Sequence, residues 1–293
     1  MRCLTRVLPV CLLVHSFLLS SFALAQFPAR GFSSILSTGE ASQRLDRFRN
    51  TLFPTQEEML RHRAYIYRFG FTHYQRNQPD IVHYGLISGL SLHSPVLRID
   101  LLADQAGVNR LASFLLVRDL IQPRVWKWES GSSRIQAVPA KDWLAPWVEG
   151  INHSPFDILM PFTNWPVEYQ KSGRVCGRPA HLFTYSVPPK NSPYQSMLSS
   201  VRLALDDAYD APLRIEHMDG GILPARTFSL QSFKKVGEQW IVKGIDAKER
   251  DSKSRTRYEI QAVAHDLDLP ESSFQRDGLV QPLVFSSVSL SPI

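Results

Sequence analysis

The chain has 293 residues, of which 33 are lysine or arginine and 27 are aspartate or glutamate, so its formal net charge is +6. This length suffices for one large domain or two small ones. The basic residues are scattered among acidic ones, whereas a nucleic-acid-binding protein needs a clustered basic face, so we expect no nucleic-acid partner.

The first 25 residues have the three parts of a secretory signal peptide. Arg2 and Arg6 make the start positive, a strongly apolar stretch follows, and Ala23 and Ala25 form a small-residue cleavage pattern. A membrane anchor is the less favoured interpretation, because a spanning helix needs about 20 apolar residues. We therefore predict cleavage after Ala25 and export to the periplasm.

The predicted mature chain would have 293 − 25 = 268 residues and a formal charge of 31 − 27 = +4, since the leader holds two basic and no acidic residues. It contains no later segment apolar and long enough to span a membrane, and no obvious domain linker. We expect residues 26–293 to form a single soluble domain that touches membranes only transiently. Cys3 and Cys11 leave with the leader, and Cys176 alone cannot form an internal disulfide.

One amphipathic helix is predicted near the start of this domain. Ser37 and Glu40 have the spacing of a capping box. Apolar residues then recur at helical intervals up to Pro54: Ala41, Leu45, Phe48 and Leu52. Thr55 and Glu58 repeat the capping-box spacing and predict a second short helical stretch.

Most of the remaining chain alternates between apolar and polar residues, as β-strands do. The first alternating set is aromatic and consists of Tyr65, Tyr67, Phe69 and Phe71. Further sets lie at residues 82–92, 97–101, 126–128, 183–187, 201–205, 213–215, 240–242 and 258–260. Short turns separate many of them, which favours antiparallel pairing. The sequence therefore predicts a mainly β (α+β) fold.

The stretch from Ala137 to Pro166 has a different character, because five prolines interrupt a run of large apolar residues. Its apolar members are Trp143, Trp147, Phe156, Ile158, Leu159, Met160, Phe162 and Trp165. Two interpretations remain open for it. It plugs or covers an opening in the sheet, or it is a loop packed on the core.

The sequence contains none of the common catalytic motifs, such as a glycine-rich phosphate loop or a nucleophile elbow. His73, His83 and His93 recur at even spacing, but a metal would need them to converge with a carboxylate or thiolate, and we favour partly exposed strand or turn residues. Cys176 lies among arginines that would favour a thiolate. No catalytic partners are evident for it, and we predict a small strand residue.

Asp206, Asp207 and Asp210 form an acidic cluster that lacks the spacing of a calcium loop. We predict instead that they end a strand in a turn before Pro212. The sequence thus predicts neither an enzyme, nor a metal site, nor a cofactor.

Between Trp126 and about Leu279, short motifs occur in a fixed order. They are W-x-W at 126–128, RIQAVP at 134–139, EGINHSPFDIL at 149–159, VCGR at 175–178, LDDAYDAPLRIE at 205–216, FKKV-x-x-x-WIV at 233–242 and LP-x-x-x-F at 269–274. In this order they resemble the LolA-like group of outer-membrane lipoprotein-sorting proteins. The pattern D-x-x-x-x-A-P-L-R-I-E is the most specific of them, whereas the N-terminal half matches only as a helix followed by strands.

The resemblance implies an incomplete antiparallel barrel, or half-barrel, in which helices and loops cover an apolar cavity for acyl chains. A curled sheet that hides one apolar face has either a ligand cavity or a filled core, and the large apolar residues suit both. The candidate cavity residues are Tyr65, Tyr67, Phe69, Phe71, Trp126, Trp128, Trp143, Trp147, Phe156 and Met160.

The leading hypothesis for function is a periplasmic carrier of lipid acyl chains or lipoproteins. The resemblance implies an inner-membrane exporter and an outer-membrane acceptor as its partners. The alternative is a sensor or adaptor of the same fold, which would present an exposed apolar patch to an envelope protein. A third hypothesis, a hydrolase of envelope polymers, requires a nucleophile or paired carboxylates that meet in a cleft.

Overall fold

The computed structural model describes residues 34–53, 55, 64–91, 94–105, 109–119, 121–190, 192–237, 239–285 and 290–293. The predicted signal peptide, His93 and all but Thr55 of the second predicted helical stretch lie outside these ranges. No helix within the ranges is long and apolar enough to cross a membrane.

Helix α1 (Thr38–Leu52) is the amphipathic helix that the sequence predicts. Its capping box is formed: the Glu40 N–H donates to Ser37 Oγ over 3.3 Å, and the Ser37 N–H donates to Glu40 Oε2 over 2.8 Å. The four apolar residues at helical intervals, Ala41, Leu45, Phe48 and Leu52, are its buried face. Both predictions are confirmed.

Fourteen strands of the described residues make one sheet in which every pairing is antiparallel. In chain order they are β1 (Ala64–Tyr74), β2 (Ile81–Gly89), β3 (Val96–Leu102), β4 (Arg110–Val117), β5 (Arg124–Glu129), β6 (Ile135–Ala137), β7 (Val167–Val175), β8 (Arg178–Ser186), β9 (Ser200–Asp206), β10 (Pro212–Met218), β11 (Arg226–Val236), β12 (Gln239–Glu249), β13 (Arg255–Leu267) and β14 (Ser291–Pro292).

The sheet is open. Its strands lie in the order β6-β5-β4-β3-β2-β1-β13-β12-β11-β10-β9-β8-β7, and β14 adds to β13. Successive hairpins build one wing from β1 to β6 and the other from β7 to β13, and the β1–β13 pairing joins the wings. Strands β6 and β7 are therefore the two edges, although only residues 138–166 separate them in the chain.

The main core lies on one face of this sheet, which we call the inner face. It contains the aromatic stripe of β1, the buried face of α1 and the large apolar residues of the 138–166 segment. The segment contributes helix α2 (Pro155–Leu159) and two 3₁₀ turns, Ala140–Asp142 and Pro161–Asn164. Helix α1 and this segment thus cover the inner face together.

Part of the opposite, outer face is covered by two 3₁₀ turns, Glu271–Phe274 and Arg276–Val280, which we call the outer cover. The fully buried Arg98 guanidinium pairs with Asp100 over 3.0 Å and donates to the carbonyl oxygens of Ser273 (3.1 Å) and Gln281 (2.7 Å). The buried charge is therefore paired and bonded to backbone, as a low-dielectric site requires.

Two turns between strands contain a residue with left-handed backbone geometry, Asp210 with φ of 53° in the first and Cys176 in the second. The acidic cluster forms the predicted turn: β9 ends at Asp206, whose Oδ1 accepts from the Ala208 and Tyr209 N–H groups over 2.9 and 3.1 Å. Cys176 is not a strand residue, and that prediction is wrong. With φ of 49° at Cys176 and 79° at Gly177, the two form the tight β7–β8 turn, since two-residue hairpin loops favour positive φ.

Candidate functional site: the covered inner face

The segment from 138 to 166, which we call the plug, connects the two edge strands without joining the sheet. Its prolines remove backbone donors and fix φ, which disfavours a continued strand. Its large side chains are buried in the main core: Trp143, Leu144, Trp147, Ile151, Phe156, Leu159, Phe162 and Trp165. The structure agrees with both interpretations of this segment, because it covers the inner face of the open sheet as a connection packed on the core.

The aromatic stripe on β1 lies beneath this cover in a filled core. The Tyr65 and Tyr67 ring centroids are 4.7 Å apart, and those of Phe69 and Phe71 are 5.1 Å apart. The stripe meets the plug where Phe71 contacts the His153 ring at 4.9 Å. None of the four stripe residues is more than 6% exposed, so a ligand on this face must displace part of the cover.

Eight of the ten candidate cavity residues come together under the plug. Seven are buried in the main core, namely Tyr65, Tyr67, Phe69, Phe71, Trp143, Trp147 and Phe156, and Met160 is partly buried against it. Trp126 and Trp128 lie on the other face, because their neighbours Val125 and Lys127 point inward beside Leu116 and Phe114.

Those two tryptophans are half-buried and lie against cations. The Arg110 guanidinium carbon is 4.4 Å from the centroid of Trp128, and that of Arg124 is 5.3 Å from Trp126. Such contacts stabilise an outer surface. Alternation within one strand places Trp126 and Trp128 on a common face, but it does not determine which face of the sheet that is.

Polar tethers hold the plug at several points. Arg118 donates to the Ile158 carbonyl oxygen over 3.0 and 3.2 Å, Arg49 of α1 donates to that of Thr163 over 3.0 Å, and Arg226 donates to that of Leu144 over 2.9 Å. Asn152 donates from Nδ2 to Ser254 Oγ over 3.1 Å. At its two ends the plug makes backbone bonds to the sheet, from the Val138 N–H to the Val125 carbonyl oxygen and from the Ser186 N–H to the Pro166 carbonyl oxygen. Between these ends it is docked by side-chain bonds and apolar contact.

Three titratable groups are buried where the plug meets β10 and β11. Among the described residues, both ring nitrogens of His153 and of His217 and Oδ1 of Asp157 have no hydrogen-bond partner. Asp157 Oδ1 lies 3.5 Å from His217 Nε2 without hydrogen-bond geometry. An unsatisfied buried polar group costs about 1–3 kcal/mol, so this interface docks the plug less firmly than a fully paired one would.

Burial sets the charge state of these groups. It raises the pKa of Asp157 from its ordinary 3.8 to about 7, and it lowers the pKa values of His153 and His217 to about 3. Arg226 nearby opposes the rise at Asp157 and reinforces the fall at both histidines. Both imidazoles are therefore neutral at pH 7, while the carboxyl titrates there.

The same groups do not form a nucleophile and base. Ser154 Oγ donates to Asp157 Oδ2 over 2.8 Å, and the other carboxylate oxygen faces His217. The acid thus stands between the hydroxyl and the imidazole, whereas an activated serine needs the imidazole next to it. No cluster of three or more potential metal ligands occurs in the part of the chain that the structure describes.

A cleft of about 430 Å³ opens at one end of the plug. Its lining includes Lys141, Leu144, Met197, His217, Arg226 and Glu249. Plug residues, the β8–β9 connection and the ends of β10, β11 and β12 all contribute to it. His217 of the Asp157–His217 pair is thus among the residues that line the cleft.

The other described histidine candidates do not belong to this buried group, although both border the plug. Thr256 Oγ1, which contacts His73, also accepts from the Asn152 N–H over 3.0 Å, and His83 is hydrogen-bonded to the backbone of Glu149. His73 is a buried strand residue whose Nδ1 lies 2.8 Å from Thr256 Oγ1, and His83 is a half-buried residue of β2. His153, Asp157 and His217 were not singled out from the sequence as a site. The first two fall within EGINHSPFDIL, but nothing in their spacing signals that they are buried together with a residue of β10.

The described sheet is an open antiparallel half-barrel, and the chain shares this fold with solved structures of LolA-like proteins. It resembles the solved structure of a putative outer membrane lipoprotein-sorting protein domain from Vibrio parahaemolyticus, at 13% identity and a TM-score of 0.63, over 81% of this chain and 97% of that one. The fold predicted from the order of motifs is confirmed.

Two further solved structures have the same fold. A DUF1329 family protein from Desulfovibrio piger matches at 14% identity and a TM-score of 0.63, over 81% of this chain and 98% of that one. A LolA superfamily protein from Nitrosomonas europaea matches at 12% identity and a TM-score of 0.57, over 82% and 99%. No family model and no curated protein sequence matches the chain.

Proposed function

We propose that this protein is a non-catalytic periplasmic carrier that binds the acyl chains of lipids or lipoproteins on the inner face of its sheet. One observation carries the proposal. The inner face of an open sheet is continuously apolar and aromatic, and its cover is a segment docked, between its two ends, without sheet pairing across buried, unpaired polar groups. A cover of this kind is suited to move aside.

The energetics favour exchange between the plug and a lipid chain. Each CH₂ group removed from water contributes roughly 0.8 kcal/mol, so an acyl chain compensates for the apolar contacts that the plug gives up. Movement of the plug also relieves the burial of Asp157, His153 and His217. A carrier needs this balance, because it must hold its cargo in water and still release it.

The proposed export, cargo and partners are supported by the sequence and by the shared fold. The N-terminal sequence pattern supports export to the periplasm. The fold shared with a lipoprotein-sorting domain from Vibrio parahaemolyticus supports lipoproteins as cargo, and such cargo implies an inner-membrane exporter as donor and an outer-membrane acceptor.

A second candidate function is an adaptor that binds an envelope protein partner. The filled inner face favours it, because protein side chains already bury the aromatic stripe. In an adaptor the plug would be a permanent part of the core. The two functions therefore differ in one measurable property, namely whether the plug gives way to a lipid.

The first experiment measures bound lipid. The full chain is expressed in a bacterial host, purified from the periplasm, extracted with organic solvent and analysed by mass spectrometry beside a size-matched periplasmic protein. Uptake of a fluorescent fatty acid is then compared between the wild type and Arg118→Met, which removes the tether to the Ile158 carbonyl oxygen. We expect lipid in stoichiometric amount and faster uptake by the variant.

The matched control is Arg110→Met. Arg110 donates to the carbonyl oxygens of Leu279 and Val280 over 2.9 and 2.6 Å, so it tethers the outer cover instead of the plug. Its uptake rate should equal that of the wild type. A protein that is free of lipid and takes up no fatty acid, in wild-type and Arg118→Met form alike, would eliminate the carrier and leave the adaptor.

A further inference from the structure

The loop between β10 and β11 exposes two large apolar side chains at its end. Ile222 is 93% exposed and Leu223 is 64% exposed, and we call this pair the apolar tip. The neighbouring residues are Asp219, Gly220 and Gly221 before the pair and Pro224 after it. An isolated exposed apolar residue needs no explanation, but two adjacent ones at a loop end form a projecting apolar point.

The tip is held in one conformation by Arg250 from the adjacent β12–β13 hairpin. Arg250 Nη2 pairs with Asp219 Oδ2 over 2.7 Å, and Nη1 donates to the Leu223 carbonyl oxygen over 3.0 Å. The Gly221 N–H donates to Asp219 Oδ1 over 3.1 Å. The bond from Arg250 holds the pKa of Asp219 down at about 2. The loop is thus preorganised to present Ile222 and Leu223 outward, which lowers the entropy lost on binding.

The charges around the tip leave a positive excess. Its three acidic neighbours are each engaged by an arginine: Asp219 and Asp251 by Arg250, and Glu249 by Arg226. Lys248 and Lys253 are exposed, and within the described residues neither is in an ion pair. Because Arg250 serves two carboxylates, three acidic side chains stand against two arginines and two lysines. The net charge beside the tip is therefore −3 + 4 = +1, which suits a negatively charged surface.

We propose that the apolar tip enters the interfacial region of a phospholipid bilayer that contains anionic lipids, with Lys248 and Lys253 on the headgroups. Amphipathic helices bind the membrane interface through buried apolar side chains and lysines on the headgroups, and the tip offers the same two kinds of group from a loop. Each lysine near an anionic membrane adds attraction that falls off within a Debye length. A protein partner would need an apolar groove shaped to enclose Ile222 and Leu223. A bilayer needs no such groove, because its interior accepts apolar side chains in any orientation.

The apolar tip lies beside the cleft at the end of the plug. Ala225 and Arg226, directly after the tip, and Glu249 and Asp251, beside its arginine clamp, line the cleft at the end of the plug. A protein attached through the tip would therefore hold the mouth of this cleft at the membrane surface. The membrane contact does not rest on the proposed cargo, and an adaptor would use it equally well.

The test is vesicle binding by the full-length purified protein. Partitioning is measured by co-sedimentation with phosphatidylcholine vesicles that contain phosphatidylglycerol, and with vesicles of phosphatidylcholine alone. Ile222→Ser/Leu223→Ser should lower the partition coefficient roughly 100-fold, since each buried apolar side chain is worth about tenfold or more. Lys248→Gln/Lys253→Gln should weaken binding to the anionic vesicles only, and added salt should have the same effect on the wild type.

Ile121→Ser is the matched control, because Ile121 is 87% exposed in a different loop; it should bind as the wild type does. An Ile222→Trp variant should show blue-shifted tryptophan emission and quenching by brominated lipid. A wild type that binds neither vesicle, or a serine double variant that binds as tightly as the wild type, would overturn the proposal. Lipid extraction is independent of this assay, so a lipid-free protein that still binds vesicles would count against the carrier alone.

Discussion

At the residue scale, the buried groups His153, Asp157 and His217 set the behaviour of the plug. Asp157 has two roles that conflict. Its Oδ2 completes the capping box of α2 by accepting from the Ser154 N–H over 2.7 Å, which favours a carboxylate. Its Oδ1 is buried against a neutral imidazole, which favours a protonated acid. The result is a carboxyl whose pKa of about 7 lies at physiological pH.

This group makes stability depend on pH. Between about pH 4 and pH 7 the unfolded chain carries an ionised Asp157 while the folded protein keeps it protonated, so folding takes up a proton. The stability that the protonated acid contributes is fully present below 3.8 and is lost as the pH rises through about 7. The two histidines act in the opposite direction, because their lowered pKa values remove stability as the pH falls from 6.5 toward 3.

Asp157→Asn isolates the carboxyl, because the amide oxygen still caps α2 but carries no charge. We expect the free energy of unfolding of the variant, relative to the wild type, to rise from pH 4 to pH 7 and then level off. The rise is on the order of a few kcal/mol, since one pKa unit corresponds to about 1.4 kcal/mol. Denaturant titrations across this range measure it.

The exposed Asp80, replaced by asparagine, is the control and should give a difference that is flat with pH. An Asp157→Asn difference equally flat between pH 4 and pH 7 would mean that Asp157 is ionised in the folded protein. The plug would then be docked without the unfavourable burial on which its mobility depends.

At the element scale, α1 is fastened by the acidic turn between β9 and β10. Arg44 donates to Asp210 over 2.6 Å and to Asp207 over 3.1 Å, and Arg47 donates to Asp210 over 2.6 Å. His181 Nε2 lies 2.7 Å from Asp207 Oδ1 on the same side. The helix, its cap and its apolar face are readable from the sequence because they are local and periodic. The clamp is not, since it joins residues more than 160 positions apart.

Asp210→Asn tests this clamp. Asparagine tolerates the left-handed φ of 53° at this position, so the change removes the charge and spares the turn. The amide oxygen can still accept from one arginine, but the other bond and the charge assistance of both are lost. We therefore expect the free energy of unfolding to fall by about 1–3 kcal/mol. Denaturant unfolding measures the loss, and limited proteolysis should show faster cleavage within residues 38–52.

The matched control on the same helix is Asp46→Asn. Its side chain is 61% exposed, and its one ion pair within the described residues is with Arg49 over 3.7 Å. An exposed pair of this kind contributes less than about 1 kcal/mol, so the stability should hardly change. Equal effects of the two substitutions would mean that the clamp does not fasten α1.

At the scale of the whole molecule, alternation predicts the strands and their antiparallel pairing, and the order of motifs predicts the half-barrel. Neither determines which face of the sheet is covered or how fully. Trp126 and Trp128 alternate just as Tyr65 and Tyr67 do, yet they lie on the outer face. The plug is recognisable as irregular and apolar, but its docking depends on contacts with distant strands, such as the bond from the Asn152 N–H to Thr256 Oγ1 of β13, 104 positions away.

The two covers of the sheet, the outer cover and the plug, differ in how their buried polar groups are hydrogen-bonded. Under the outer cover, Arg98 and Asp100 are paired and bonded to backbone. Under the plug, His153, Asp157 and His217 keep unpaired atoms. Many amide bonds within the plug, such as the Met160 N–H to the Phe156 carbonyl oxygen over 2.9 Å, belong to helical turns too short to persist in water. We expect the plug to open as a unit, before the sheet unfolds.

Native-state hydrogen exchange followed by mass spectrometry measures this order of opening. Amides of residues 143–165 should exchange faster than those of β1 and β13 and faster than those of the outer cover, which is the internal control. Bound fatty acid should change exchange in the plug and leave the outer cover as it was. Exchange of the plug at the same rate as β1 and β13 would mean that it opens only by global unfolding. The plug would then be a fixed part of the core, as an adaptor requires and a carrier does not permit.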